Sequence, residues 1–230
     1  KISTKIFDVI KLETGFDPEV KQNIRGGLDW TALLTTLTQS QYRNDIICQL
    51  VARNPHRKIL ILTARKSHVD LLMPLSKGMG EKVDFFAGTK KTYSDSRVLI
   101  GTISKIGTGF DENTACADFN GIRLNMLILA TSIKNVALLE QSVGRVFRAE
   151  HPVVIDLVDN NSTLKSHWYI RRRWYLSRNG EITERKLTTE MPRPVYTMGG
   201  QKVIPQITQT HDEIPRLGSH PEYEDVNLGD

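Results

Sequence analysis

The sequence is poor in cysteine and has no long hydrophobic run. Its two cysteines, Cys48 and Cys116, cannot by themselves build a disulfide framework or a four-ligand zinc site. No stretch of about 18 apolar residues is present, so neither a membrane span nor a membrane partner is predicted. The first residues carry charges throughout, unlike a secretory signal. We therefore expect an intracellular protein in a reducing compartment.

Metal-ligand spacing is also missing, because the six histidines lie far apart in the sequence. No metal site is predicted. Hydrophobic residues make up 39% and charged residues 25% of the chain, which excludes a disordered or collagen-like polypeptide.

Charge is distributed unevenly along the chain. Residues 212–230 contain six acidic residues and one basic residue, so residues 1–211 hold 30 of the 31 basic residues but only 20 of the 26 acidic ones. A basic body of this kind suggests an anionic partner, of which nucleic acid is the commonest. The alternative is a basic protein without such a partner.

Five apolar segments alternate with helical patterns. A continuous apolar run is typical of a strand that is buried on both faces, and such alternation predicts an α/β fold with a mostly parallel central sheet between two helical layers. In these folds ligands bind beyond the carboxyl ends of the strands. The predicted strands are residues 58–64, 83–88, 97–101, 124–130 and 152–158.

The flanking regions predict three parts. Residues 1–56 form an N-terminal extension, with an extended segment, a helix that starts at Asp29 and a second helix over residues 41–53. Residues 57–189 form the sheet-containing domain, in which Ser67 caps one helix and later helices cover residues 135–148 and 162–178. Residues 190–230 form a proline- and glycine-rich, acidic, loosely structured tail.

Two segments that follow predicted strands carry candidate chemistry. In the segment that follows the strand predicted at residues 124–130, Gln141, Arg145 and Arg148 have spacings of four and three, which would place them on one face of a helix. Paired guanidinium groups suit phosphate oxygens. The other segment, residues 101–111, follows the strand predicted at residues 97–101. It combines hydroxyl side chains with Gly107, Gly109 and a final Asp111, and this combination suits contacts to a sugar-phosphate backbone.

Together these segments resemble the C-terminal RecA-like lobe of superfamily 2 helicases. Residues 57–72 are similar to motif IV, residues 98–111 to motif V, and residues 138–148 to motif VI in its Q-x-x-G-R-x-x-R form. The resemblance extends over residues 57–178. The segment after motif VI also resembles helicases of phages and large DNA viruses, particularly the poxvirus transcript-release type.

The resemblance implies a role for each motif. Arg145 and Arg148 would be catalytic arginine fingers that reach the γ-phosphate of ATP. Gln141, Gly109 and Asp111 would lie at the nucleotide between two lobes. The remaining matched positions would bind the tracked nucleic-acid strand, namely Thr63, Arg65, Lys66, Gly88, Thr89, Lys90 and Thr102.

The sequence departs from the complete motor pattern. It has no G-x-x-x-x-G-K-[ST] loop to cradle phosphates and no DExH/D tetrad to hold Mg²⁺. ATP and Mg²⁺ would therefore be held mainly by a first RecA-like lobe, and these residues alone are expected to be inactive. Asp156 and Asp159 are interpreted as structural carboxylates.

The expected partners are therefore the first lobe and a single nucleic-acid strand, DNA in preference to RNA, with the chain itself monomeric. A different hypothesis is a non-catalytic nucleic-acid-binding or partner-docking module of RecA-like shape. The basic and aromatic run at residues 168–175 could contact single strands. We favour instead a packing helix with its aromatic rings on the sheet and its arginines outside.

Overall fold

The computed structural model describes residues 6–187, and the backbone of residues 195–196 and 202–203. The predicted tail, residues 190–230, otherwise lies outside the described residues. Strands β8 (Val195–Tyr196) and β9 (Lys202–Val203) form a separate antiparallel pair.

A seven-stranded sheet in which all strand pairs are parallel forms the centre of the described domain, as the apolar segments predicted. Its strands are β1 (Phe7–Glu13), β2 (Ile59–Thr63), β3 (Val83–Phe86), β4 (Val98–Thr102), β5 (Met126–Leu129), β6 (Val153–Val158) and β7 (Gly180–Lys186). Their spatial order is β3-β4-β2-β5-β6-β1-β7.

Helices connect the strands and cover the sheet. They are α1 (Trp30–Gln39), α2 (Gln41–Arg53), α3 (Lys66–Gly78), α4 (Ile103–Gly107), α5 (Glu112–Ala115), α6 (Val136–Val143) and α7 (Ser162–Ser177). Side chains of Asp29, Ser40, Asn135 and Asn161 cap four of them by accepting a backbone N–H. None of the helices in the described ranges is long and apolar enough to cross a bilayer.

Both faces of the sheet are buried, which explains the continuous apolar runs. In β2, Leu60 and Leu62 belong to one hydrophobic cluster, whereas Ile59 and Ile61 belong to the cluster on the opposite face. All four side chains are fully buried. The alternation of side chains along a strand therefore supplies two cores, one beneath each helical layer.

The N-terminal segment contributes more to the sheet than the sequence predicted. Residues 7–13 form β1, which lies between β6 and β7 and pairs with both. The edge strand β7 was not predicted, because its sequence GEITERK is polar and mostly exposed. Without hydrophobic alternation, such a strand is recognised only once its backbone pairs with β1.

Two predicted helix boundaries are wrong. Helix α3 begins at Lys66 with Arg65 as its N-cap residue, and no side chain caps it, so Ser67 lies inside the first turn. The helix predicted over residues 135–148 ends at Val143, and Val146–Arg148 form a short 3₁₀ turn. Gly144 separates the two, because glycine has a low helix propensity.

Two buried ion pairs cross between helices and the sheet. Asp156 of β6 accepts hydrogen bonds from Arg171 Nε and Nη2 at 2.8 and 2.7 Å, and from the Tyr175 hydroxyl at 2.8 Å. Asp159 accepts from Arg43 Nε and from the Thr14 hydroxyl. The structural role predicted for both aspartates is confirmed.

The prediction that the arginines of α7 face outward is wrong for Arg171, which is 1% exposed.

Replacing Arg171 by methionine should destabilise the fold strongly. The substitution leaves the carboxylate of Asp156 buried without its cation, a change that costs about 3–5 kcal/mol in comparable buried pairs. The free energy of unfolding in urea measures the loss. Arg172→Met is the matched control on the exposed side of the same helix, where we expect a change within about 0.5 kcal/mol. Equal effects of the two substitutions would contradict this interpretation.

Candidate functional site

Two predicted nucleic-acid contacts lie side by side at the carboxyl ends of β2 and β4. Thr63 and Thr102 are register partners in the parallel ladder. Both side chains are buried, and the Thr63 hydroxyl donates to the Gly101 carbonyl at 3.3 Å. Contact between these hydroxyls and a nucleic acid stays a prediction, and it has to compete with the internal hydrogen bonding.

Arg65 makes structural contacts that the sequence did not predict. Its Nη1 donates to the Thr35 hydroxyl at 2.6 Å and its Nη2 to the Thr31 carbonyl at 3.0 Å. These bonds tie the start of α3 to α1. The proposed phosphate contact of Arg65 therefore also stays a prediction.

Three other predicted contacts form an exposed group beside β3. Lys66, Gly88 and Thr89 are exposed, and a Cβ built on Gly88 would lie 3.7 Å from Cδ of Lys66. Lys66 pairs with Asp70 at 2.9 Å on the surface of α3. Lys90 is less free, because its ammonium contacts Asp84 at 2.5 Å. The basic groups of this edge are thus partly neutralised by the protein's own carboxylates.

The two arginines of the motif VI segment remain on one side of the backbone, although no single helix carries them. Residues three apart eclipse one another in a 3₁₀ turn. Arg145, at the start of that turn, and Arg148, at its end, are therefore aligned. Gln141 is exposed on the preceding helix α6.

Arg148 is joined to Asp111, so the two motif segments meet. Its Nη1 lies 2.5 Å from Asp111 Oδ2, and both side chains are partly exposed, at 39% and 32%. The hydrogen bond from Arg148 is the main cause that lowers the pKa of Asp111, followed by the backbone N–H of Asn113. This carboxylate is therefore charged at neutral pH and available to hold the guanidinium in place.

Arg145 is held in a different way. Burial and the neighbouring charge of Arg148 lower its pKa, while Asp111 opposes this change. Its Nε is buried and has no hydrogen-bond partner among the described residues. Because Arg145 forms no ion pair within the described residues, its guanidinium suits an anionic ligand that approaches from outside the lobe.

Gly109 keeps the approach to this rim open. Its φ of +99° is a left-handed conformation that favours glycine, and a Cβ built there would meet nothing within 4 Å. In the part of the chain that the structure describes, no three His, Cys, Asp or Glu side chains are grouped so that they could hold a metal ion. The rim formed by Gln141, Arg145, Arg148, Asp111 and Gly109 offers donors for an anion rather than ligands for a cation.

A cleft that the sequence did not predict lies at the same edge of the sheet. It has a volume of about 400 Å³, lies beyond the end of β5 and is lined by Trp30, Ile103, Leu138 and His167, among others. These residues come from α1, α4, α6 and α7, so no local sequence pattern could have revealed it.

Proteins of large DNA viruses are similar to this chain. The protein 161L of Invertebrate iridescent virus 6, which is named as a helicase, is 33% identical over 202 residues that cover 78% of the chain and 43% of that protein. The protein 055L of Frog virus 3, also named as a helicase, is 30% identical over 84% of the chain and 42% of its own length. The uncharacterized protein 108L of Invertebrate iridescent virus 3 is 37% identical over 45% of the chain and 92% of its own length.

Solved structures agree with this relationship at the level of the fold. The C-terminal domain of the DEAD-box protein Dbp5 has a TM-score of 0.54 at 14% identity, covering 80% of the chain and 92% of that domain. UvsW of T4 has a TM-score of 0.56 at 16% identity, covering 79% of the chain and 42% of UvsW. No model of a known protein family matches.

The chain is homologous to proteins of large DNA viruses, two of which are named as helicases. It has the RecA-like fold of the C-terminal domain of Dbp5, as the sequence analysis predicted. It spans about two fifths of the length of the two helicase-named relatives. The narrower resemblance to the transcript-release type stays a prediction.

In this RecA-like lobe, removing the guanidinium of Arg148 should change the titration of Asp111. Arg148→Ala should raise the pKa of Asp111 toward its ordinary value, because the main group that lowers it is lost. Carbon-detected NMR of the Asp111 carboxyl measures this change. Arg123→Ala is the control, since the charge of Arg123 is the weakest of the causes that lower this pKa. An unchanged titration in Arg148→Ala would show that the pair does not form in solution.

Proposed function

We propose that the chain is the second motor lobe of an ATP-dependent nucleic-acid helicase or translocase. ATP and its Mg²⁺, held mainly by a first RecA-like lobe, supply the phosphoryl transfer that drives movement. In this proposal Arg145 and Arg148 contact the phosphates, while Gln141, Gly109 and Asp111 border the nucleotide. The strand passes over the carboxyl ends of β2, β3 and β4.

The position of Arg145 next to the Arg148–Asp111 pair is the observation that carries this proposal. Arg145 lies beside Arg148, on a turn that places residues three apart on one side, at an edge that Gly109 leaves open. Asp111 keeps Arg148 oriented until phosphate oxygens compete for the same donors.

The nucleic-acid part of the proposal rests on position and charge. Thr63, Thr102, Arg65, Lys66 and residues 88–90 come from the ends of adjacent strands or follow them directly, so one strand could contact them in sequence. Hydroxyls and lysines at such an edge suit phosphate and sugar rather than base edges. Single-stranded DNA is the substrate that we propose.

The arginines should matter for turnover and not for strand binding. When this lobe is combined with its first lobe, Arg145→Ala or Arg148→Ala should lower the rate of ATP hydrolysis by about 10³-fold or more, because fingers stabilise charge only in the transition state. The 230-residue chain alone should show negligible hydrolysis. A coupled phosphate-release assay with single-stranded DNA, double-stranded DNA and RNA measures both rates.

Arg172→Ala is the control for this assay, because Arg172 is exposed on α7, outside the proposed nucleotide-binding rim. It should leave the ATPase rate unchanged. If the lobe binds strands but the arginine substitutions leave turnover unchanged, the result would favour the competing function, a binding or docking module.

Binding of a single strand should be weak and sensitive to salt, because lysine–phosphate contacts release counterions. Lys66→Gln should reduce the slope of log affinity against log salt by about 0.7, the value for one phosphate contact on a single strand. Lys77→Gln, at the opposite end of the same helix α3, should leave the slope unchanged. Fluorescence anisotropy of a labelled oligonucleotide at several salt concentrations measures this. Affinity that is independent of salt would refute the backbone-binding model.

A further inference from the structure

The cleft beyond β5 adjoins the proposed strand path without being part of it. β5 pairs with β2, so the two strands end next to each other at the carboxyl edge. Ile103 lines the cleft and directly follows Thr102, a proposed backbone contact. The cleft volume of about 400 Å³ lies within the range of small-ligand sites, about 300–1,000 Å³.

Two aromatic rings form one wall of the cleft. Trp30 and His167 have ring centroids 5.4 Å apart with an interplanar angle of 59°. The Ser132 hydroxyl lies 3.1 Å from His167 Nδ1 and fixes the orientation of the imidazole. Burial, with the nearby charges of Arg171 and Lys134, lowers the pKa of His167. The imidazole is therefore neutral at physiological pH, and the two tilted rings give the cleft an uncharged aromatic wall.

The remaining walls separate an apolar interior from a polar mouth. Ile103 and Leu138 add aliphatic groups to the lining. Lys134 and Asn135 lie at the exposed entrance, and Lys134 forms no ion pair within the described residues. An apolar slot with aromatic faces and a free cation at its entrance matches a nucleotide unit, since rings stack on the base and the cation attracts its phosphate.

We propose that this cleft receives one unstacked base of the single strand, with Trp30 as the stacking platform and Lys134 at the adjacent phosphate. The proposal rests on the proposed function, because it requires that a single strand pass over this edge. It adds a base-binding contact to a path that is otherwise lined by backbone-binding groups. Binding of this kind does not depend on base identity, because every base has a face that can stack.

Tryptophan fluorescence tests the proposal directly. The chain has three tryptophans, and Trp168 and Trp174 are 1% and 6% exposed, so Trp30 is the one that a base can reach. A thymidine oligonucleotide should quench the tryptophan emission of the 230-residue chain. The anisotropy of the same oligonucleotide, carrying a fluorescent label, should rise as it binds. An oligonucleotide of the same length with abasic sites keeps the phosphates, and it should bind with little quenching.

Substitutions separate stacking from a folding defect. Trp30→Ala should lower affinity for the thymidine strand by roughly 10-fold and leave affinity for the abasic strand unchanged. A misfolded variant would lose both. Trp30→Phe keeps a ring, so it should retain most of the affinity while the quenching disappears. Tyr169→Ala is the control, because Tyr169 is 62% exposed on α7 and lies outside the cleft.

The outcomes distinguish this inference from the proposed function. An anisotropy rise without quenching would overturn the base-binding cleft and leave strand binding intact. Equal losses for the thymidine and abasic strands in Trp30→Ala would also overturn it. A loss in Tyr169→Ala but not in Trp30→Ala would place stacking on α7 instead. Absence of binding to either strand would contradict both proposals.

Discussion

The buried ion pair between Arg171 and Asp156 is the contact on which both candidate surfaces depend. Asp156 lies in β6, and the guanidinium of Arg171 reaches it from α7. The same guanidinium donates through Nη1 to the Ser132 hydroxyl and the Ile133 carbonyl, at 2.9 and 3.0 Å. These two residues belong to the loop that leads from β5 to α6. One buried cation therefore positions the loop that lines the cleft and the helix that leads to the arginine rim.

Charge balance at the carboxyl edge limits how the lobe can meet an anion. Three of the cations there already have a carboxylate partner: Arg148 has Asp111, Lys90 has Asp84 and Lys66 has Asp70. A phosphate that binds these groups exchanges one anion for another, so the gain in free energy is smaller than for a free cation. Arg145 and Lys134 differ, since neither forms an ion pair within the described residues. A phosphate that arrives at Arg145 on the rim or at Lys134 by the cleft would therefore not have to displace a carboxylate of the protein.

Sequence reasoning predicted the fold where a local pattern carried the information. The continuous apolar run of β2 predicted a strand buried on both faces, and Asp29 predicted the start of α1. It failed where partners distant in sequence decide the structure. Strand β7 is polar, and only its pairing with β1 identifies it as a strand. The sequence pattern predicts that Arg171 is exposed, whereas in the structure it pairs with the buried Asp156. The break at Gly144 was visible as a glycine, but a spacing of four and three between Gln141, Arg145 and Arg148 is equally compatible with an uninterrupted helix.

The sequence by itself determined the layered α/β architecture, the motif segments and their placement at the carboxyl ends of strands, because periodicity and motif spacing are local properties of the chain. Tertiary structure alone decided that Asp111 pairs with Arg148, that Arg65 donates hydrogen bonds to α1, and that Trp30 and His167 share a cleft. These contacts join residues 30 to 137 positions apart in the chain. Such contacts depend on how helices settle on the sheet, so packing and buried charge, rather than any local pattern, determine them.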